Sequence, residues 1–153
     1  MSQTQLDIRG FKTTFTVIGV IYVYMASWAL VRGVTMMHDF GVPETVTAEP
    51  VVQDLFSFFY QLMAAVGLLI VLFGHVTHGR RAQSLVAAAF SMLNVFLAWR
   101  DLVTSDSSFG NHLYRGEKTL VFVCISLALT LVFGALAING LRAPRTQGLS
   151  VSS

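Results

Sequence analysis

Four polar side chains lie inside long apolar stretches of the chain: Asp54, Gln61, Asn94 and Asp101. A charge or an amide buried among apolar groups is costly without a partner, so such residues commonly pair with each other or line a site. Either aspartate would be suited to act as a base. Tyr60 or His112 would then act as the acid in proton-transfer chemistry. We expect Arg32 to pair with Asp54 or Asp101, because it is an arginine near the same apolar boundary.

These residues define a candidate polar pocket, which has a competing structural interpretation. The candidate members are Asp54, Gln61, Asn94, Asp101, Arg32 and Tyr60. An apolar pocket with a few convergent polar groups is the usual form of a small-molecule site. Under the competing interpretation the charges mark a water boundary, and the uncharged polar residues serve helix packing.

Metal and cofactor chemistry has little support in the sequence. His38 and His112 are weak candidates for a metal site with nearby acids, but no spacing typical of a metal motif supports them. No histidine lies in the middle of an apolar run, which argues against bis-histidine haem. The single cysteine, Cys124, excludes an internal disulfide. We therefore predict no metal and no cofactor.

The elements that must position these residues are four apolar runs, each near the length that crosses a bilayer. The chain of 153 residues is 54% hydrophobic and only 12% charged, whereas soluble domains average about 25% charged residues. A membrane-spanning helix needs about 20 mostly apolar residues. The runs cover about 14–35, 51–73, 82–103 and 119–138. We predict one all-α domain, an integral membrane four-helix bundle, with a disordered tail over 144–153.

The charges between the runs indicate an orientation. One side has six basic residues and one acid, Asp7; the basic residues are Arg9, Lys12, Arg80, Arg81, Arg142 and Arg145. The other side has four basic residues and seven acids. An excess of Lys and Arg in short loops marks the cytoplasmic side. We predict that both termini are cytoplasmic, which in a bacterial host means an inner-membrane protein. The basic excess then reflects orientation, and we expect no nucleic-acid partner.

Small and polar residues recur at helical spacing and predict the packing faces. The third run has the clearest pattern, with members three or four residues apart: Ser84, Ala87, Ser91, Asn94, Ala98 and Asp101. Residues at every seventh position in the first two runs show a weaker pattern: Gly19, Ala26 and Gly33, then Tyr60, Gly67 and Gly74. Ser126, Thr130, Gly134 and Ala137 would face inward in the fourth run. Helices in a bilayer associate through such residues. We also expect the second and third runs to be antiparallel neighbours, because the loop between them is short.

Three functions fit these patterns. The first is a non-catalytic accessory or assembly subunit of a membrane complex, and it is the one we favour. The second is a membrane-embedded isomerase or transferase that acts on a lipophilic small molecule in an outer-leaflet pocket. The third is an oligomeric transporter, although the polar stripe fades in the inner half of the runs. The expected partners are the lipid bilayer and either other membrane proteins or further copies of the chain.

Overall fold

The described part of the chain is all-helical. A computed structural model describes residues 7–40, 42–104 and 117–142, and these contain no strand. The elements are α1 Phe11–Arg32, a 3-10 helix Gly33–Phe40, α2 Glu44–Thr47, α3 Pro50–Val76, α4 Arg80–Thr104 and α5 Glu117–Leu141. The predicted all-α class is confirmed, whereas the predicted disordered tail lies outside the described residues.

Four helices are long and apolar enough to cross a membrane, as the four apolar runs predicted. They are α1 with most of its 3-10 extension, α3, α4 and most of α5. The observed helices begin or end a few residues beyond the predicted runs, because polar end residues still form helix. Pro50 occupies the first turn of α3, where its missing N–H has no helical partner to lose. Gly10, with a φ of 85°, precedes α1.

Helices α1 and α3 form one packing pair through close backbone contact. A Cβ atom added to Gly19 would lie 2.5 Å from the carbonyl oxygen of Gly67, and one added to Gly67 would lie 2.8 Å from that of Gly19. A Cβ atom added to Gly74 would lie 2.7 Å from the Cβ atom of Phe15. The predicted packing role of the glycines is confirmed for these three. It is wrong for Gly33, which ends α1 with a φ of 66° and has open space around it.

Helices α4 and α5 form the second pair, joined by side-chain hydrogen bonds to the backbone. Ser84 Oγ donates to the carbonyl oxygen of Ala137 over 2.6 Å, and Ser91 Oγ donates to that of Thr130 over 3.0 Å. Other seam residues on α4 are buried: Ala87, Asn94 and Ala98. The predicted inward face of this helix is confirmed.

The short turn between α3 and α4 does not make those two helices the main packing partners. The extensive pairings are α1 with α3 and α4 with α5. Helices α3 and α4 are in contact through the rings of Phe73 and Phe90, 6.2 Å apart, as the short loop led us to expect of neighbours. Close packing follows the glycine and serine faces rather than the length of the connecting loop. An aromatic cluster connects the pairs: the Phe15 ring lies 5.3 Å from that of Phe90 and 5.1 Å from that of Phe133.

The segment before α1 contacts the α3–α4 turn. Asp7 Oδ1 accepts a hydrogen bond of 2.8 Å from the Gly79 backbone N–H, and Gln83 Oε1 accepts one of 2.6 Å from that of Ile8. Arg80 donates to carbonyl oxygens at the end of α5, including that of Arg142 at 2.9 Å. The residues before α1, the α3–α4 turn and the end of α5 therefore lie at one end of the molecule, called here the basic end.

Candidate functional site

Tyr60 lies at the opposite end of the molecule in a small apolar cluster. The buried members of this cluster are Ala29, Met36 and Phe56, from α1, the 3-10 helix and α3. The Tyr60 ring is half-buried against it, 4.6 Å from the ring of Phe56. The 3-10 helix and α2 thus fold back over the ends of α1 and α3. These two short helices are called here the cover, and Tyr60 packs against the cluster beneath it.

Thr47 and His38 hold the cover in place. The Thr47 side chain is buried, and its hydroxyl lies 2.7 Å from Nε2 of His38. Gln53 Nε2 donates to the carbonyl oxygen of Thr47 over 3.1 Å. The His38 ring is therefore committed to a structural hydrogen bond, which competes with its predicted use as a metal ligand.

Arg32 pairs with Asp39, and not with Asp54 or Asp101 as expected. The guanidinium donates to Asp39 Oδ2 over 2.9 Å. It also lies over the Trp28 ring, 5.1 Å from the ring centre, in cation–π geometry. The correction has a local cause. The chain continues directly from α1 into the 3-10 helix, which brings Asp39 back within reach of Arg32.

Asp101 pairs with its neighbour Arg100. The carboxylate accepts two hydrogen bonds from the guanidinium, of 2.7 and 3.2 Å. Only 10% of the Asp101 side chain is exposed, against 48% for Arg100. Successive side chains leave a helix about 100° apart. The long arginine side chain folds back across that angle to reach its neighbour.

The remaining three candidates occupy different environments. Asn94 is 4% exposed on the α4 seam, and its amide donates to the carbonyl oxygen of Phe90 in the same helix over 2.8 Å. Gln61 and Asp54 are exposed on α3. The six candidates are thus divided among the cover, the α4 seam and the outside of α3. Their action on a substrate stays a prediction.

Metal-ligating residues do not cluster in the described part of the chain. Over residues 7–40, 42–104 and 117–142 there is no group of three or more His, Cys, Asp or Glu side chains placed to hold a metal ion. The other weak candidate, His112, lies outside those residues.

Gln83 is a structurally important polar residue that the spacing patterns in the sequence did not indicate. It is 3% exposed, accepts the Ile8 hydrogen bond and donates to the carbonyl oxygen of Thr77 over 3.0 Å. Its position next to Ser84, at the start of the α4 seam, was the available signal. At the end of an apolar run, however, a glutamine is most simply interpreted as solvated.

Comparisons with protein-family models, with curated proteins and with solved structures found no match to this chain. The fold alone defines its class: an all-helical protein with four helices long and apolar enough to span a membrane.

Proposed function

We propose that this chain is a four-helix bundle of the plasma membrane, the inner membrane in a bacterial host, and acts as a non-catalytic accessory or assembly subunit of a membrane complex. Insertion is supported by the four apolar helices. They expose many large apolar side chains, among them Val31, Leu68 and Leu131. In water such a surface would favour aggregation. In a bilayer the same side chains would contact lipid tails, which are equally apolar.

The basic end supports a cytoplasmic position for both termini. Arg9, Lys12, Arg81 and Arg142 are exposed there, and the opposite end has the exposed acids Asp39, Glu44 and Glu49. Because Asp7 contacts the α3–α4 turn and Arg80 reaches the end of α5, the first and last described residues lie at the same end of the molecule. An excess of basic residues is typical of the cytoplasmic side, which supports this orientation.

The observation that carries the non-catalytic assignment is the local pairing of the polar candidates. Three have partners within seven residues along the chain: Arg32 with Asp39, Asp101 with Arg100, and Asn94 with Phe90. A catalytic acid or base needs an atom within hydrogen-bond reach of the substrate. Side chains that are hydrogen-bonded within their own helix or turn stabilise that local structure and are less available for proton transfer to a substrate.

The test is deletion of the chain followed by native gel analysis of membrane complexes. We expect one complex to decrease in amount while its other subunits are still made. Complementation with Asn94→Ala plus Asp101→Ala should restore complex assembly at least in part, with Leu131→Ala as a surface control. Restored assembly together with loss of a lipophilic product would instead support the membrane-embedded enzyme. Unchanged complexes with loss of solute uptake would support the transporter.

Membrane insertion has its own measurement. The full chain should stay in the membrane pellet after alkaline carbonate treatment and should enter solution only with detergent. A reporter that is active only outside the cytoplasm should be silent when fused after Ser153. Extraction by carbonate, or an active reporter, would contradict the insertion or the orientation respectively.

A further inference from the structure

The face of α3 that points away from α1 has the spacing of a second packing seam. Its members are Phe58, Gln61, Ala65, Leu68 and Leu72, separated by three or four residues. All five are exposed; Phe58 is 64% exposed and Leu68 62%. The buried residues Phe56, Gly67, Ile70 and Gly74 lie on the other side of the helix. This set of five residues is called here the outer α3 face.

Gln61 is the polar residue on this otherwise apolar face. Helix α3 has 27 residues, so it is about 40 Å long and exceeds the hydrocarbon core of about 30 Å. If α3 is centred in the bilayer, Gln61 lies about 11 Å inside the hydrocarbon. Its side chain is exposed, and within the described ranges 7–40, 42–104 and 117–142 no hydrogen bond to that side chain occurs. An unpaired amide in hydrocarbon is costly.

We propose that two copies of this chain associate in parallel through the outer α3 face, with the two Gln61 amides hydrogen-bonded to each other. The proposal rests on the membrane insertion proposed above. Copies inserted in the same orientation bring the same residue to the same depth. A carboxamide contains both a donor and an acceptor, so it is complementary to itself across a two-fold axis.

The packing on this face favours a second copy for two further reasons. A seam of alternating three- and four-residue spacing suits left-handed pairing of parallel helices, in which a single polar residue fixes the register. Ala65, one turn from Gln61, permits close approach of the two backbones. Helix α3 is also the least covered of the four long helices. In its most apolar stretch of 18 residues 17% of the stretch is buried, against 28% in each of the other three helices. Asp54 lies on the same face, four residues before Phe58. With α3 centred in the bilayer it falls at the outer boundary, where water screens the repulsion between the two carboxylates.

Disulfide mapping in native membranes tests the proposal without altering Gln61. Cys124, the only cysteine, is first changed to serine. Single cysteines are then introduced as Ala65→Cys and Leu68→Cys. The matched controls are Leu62→Cys, which is 52% exposed in the same helix but off the seam, and Leu131→Cys on α5, which is 74% exposed. After mild oxidation we expect dimers from both seam positions and few from the controls.

The other outcomes have distinct meanings. Equal cross-linking at all four positions would show random collision and overturn the proposal. A carbonate-resistant chain without seam dimers would also overturn it, while the proposed membrane insertion would stand. Seam cysteines that cross-link to a different protein would replace the second copy with that protein. A chain that carbonate extracts would contradict the membrane assignment itself.

Substitution of Gln61 tests the amide pair directly. Gln61→Leu should weaken dimerisation about three- to tenfold, the range expected for an interhelical hydrogen bond in a membrane. Gln61→Asn should retain much of the affinity, and Leu62→Ala should leave it unchanged. The measurement is energy transfer between labelled copies in lipid vesicles as a function of dilution. Equal or tighter dimerisation of Gln61→Leu would contradict the hydrogen-bonded pair.

Discussion

At the residue scale, the absence of a side chain at Gly19 and Gly67 sets the distance between α1 and α3. A methyl group added to either glycine would overlap the backbone carbonyl oxygen of the other. In a bilayer the lipid offers little hydrophobic gain for helix association, so such close packing contributes a large share of the attraction.

We therefore expect Gly67→Ala to destabilise the protein by about 1–3 kcal/mol, because an added methyl would overlap the Gly19 carbonyl oxygen and the side chains of α1. The matched control is Gly134→Ala, where the nearest atom, Ser91 Oγ, would lie 3.4 Å away in ordinary contact. The temperature of half-aggregation in mild detergent should fall for the first variant and hardly change for the second. Equal effects would contradict a specific role for the α1–α3 contact.

Gln83 provides a second prediction at the residue scale. Gln83→Ala removes the partners of the Ile8 N–H and the Thr77 carbonyl oxygen. Loss of a buried partner costs about 1–3 kcal/mol. Hydrogen exchange of the amides near Ile8 should accelerate. Gln53→Ala, which removes one hydrogen bond from an exposed glutamine, serves as control and should leave those amides unchanged. Unchanged exchange in Gln83→Ala would argue against the contact.

At the element scale, the existence of the four long helices could be predicted from hydropathy, because length and apolar content alone determine it. The α4 seam could also be predicted, since its serines, alanines and Asn94 repeat at helical spacing. The pairing of helices could not. It depends on which small-residue faces meet, and loop length does not indicate which helices pack most extensively. The candidate site was equally unpredictable, because the partners of Arg32 and Asp101 depend on the 3-10 helix and on one side-chain conformation.

The α4–α5 pair gives a prediction at this scale. Ser84→Leu should separate the two helices, because Ser84 is buried against α5. The space beside it is so narrow that a Cβ atom added to Gly140 of α5 would lie only 2.6 Å from the Ser84 Cβ atom. Overpacking of this kind typically costs about 1–3 kcal/mol or more. Ser84→Ala should cost less, about 0.5–1.5 kcal/mol, since only the hydrogen bond to Ala137 is lost. Leu85→Ala, at an exposed neighbouring position, is the control for the detergent stability measurement.

At the scale of the whole molecule, the charge asymmetry gives a prediction about sidedness. In a Cys124→Ser background, Thr45→Cys on the exposed surface of α2 should react with a membrane-impermeant thiol reagent in intact cells. Arg81→Cys, exposed at the basic end, should react only after the cells are permeabilised. The reverse pattern would place the termini outside the cytoplasm. Labelling of both sites in intact cells would show mixed insertion.

The contact between the start of the chain and the α3–α4 turn has a consequence for the order in which the protein assembles during synthesis. The Ile8–Gln83 hydrogen bond spans 75 residues, and the Asp7–Gly79 bond spans 72. The ribosome must therefore make α1, α3 and the first turn of α4 before the residues ahead of α1 find their partners. Until then the first helix can pair with α3 while Asp7 and Ile8 lack these partners, so these two residues become fixed later than the helix that they precede.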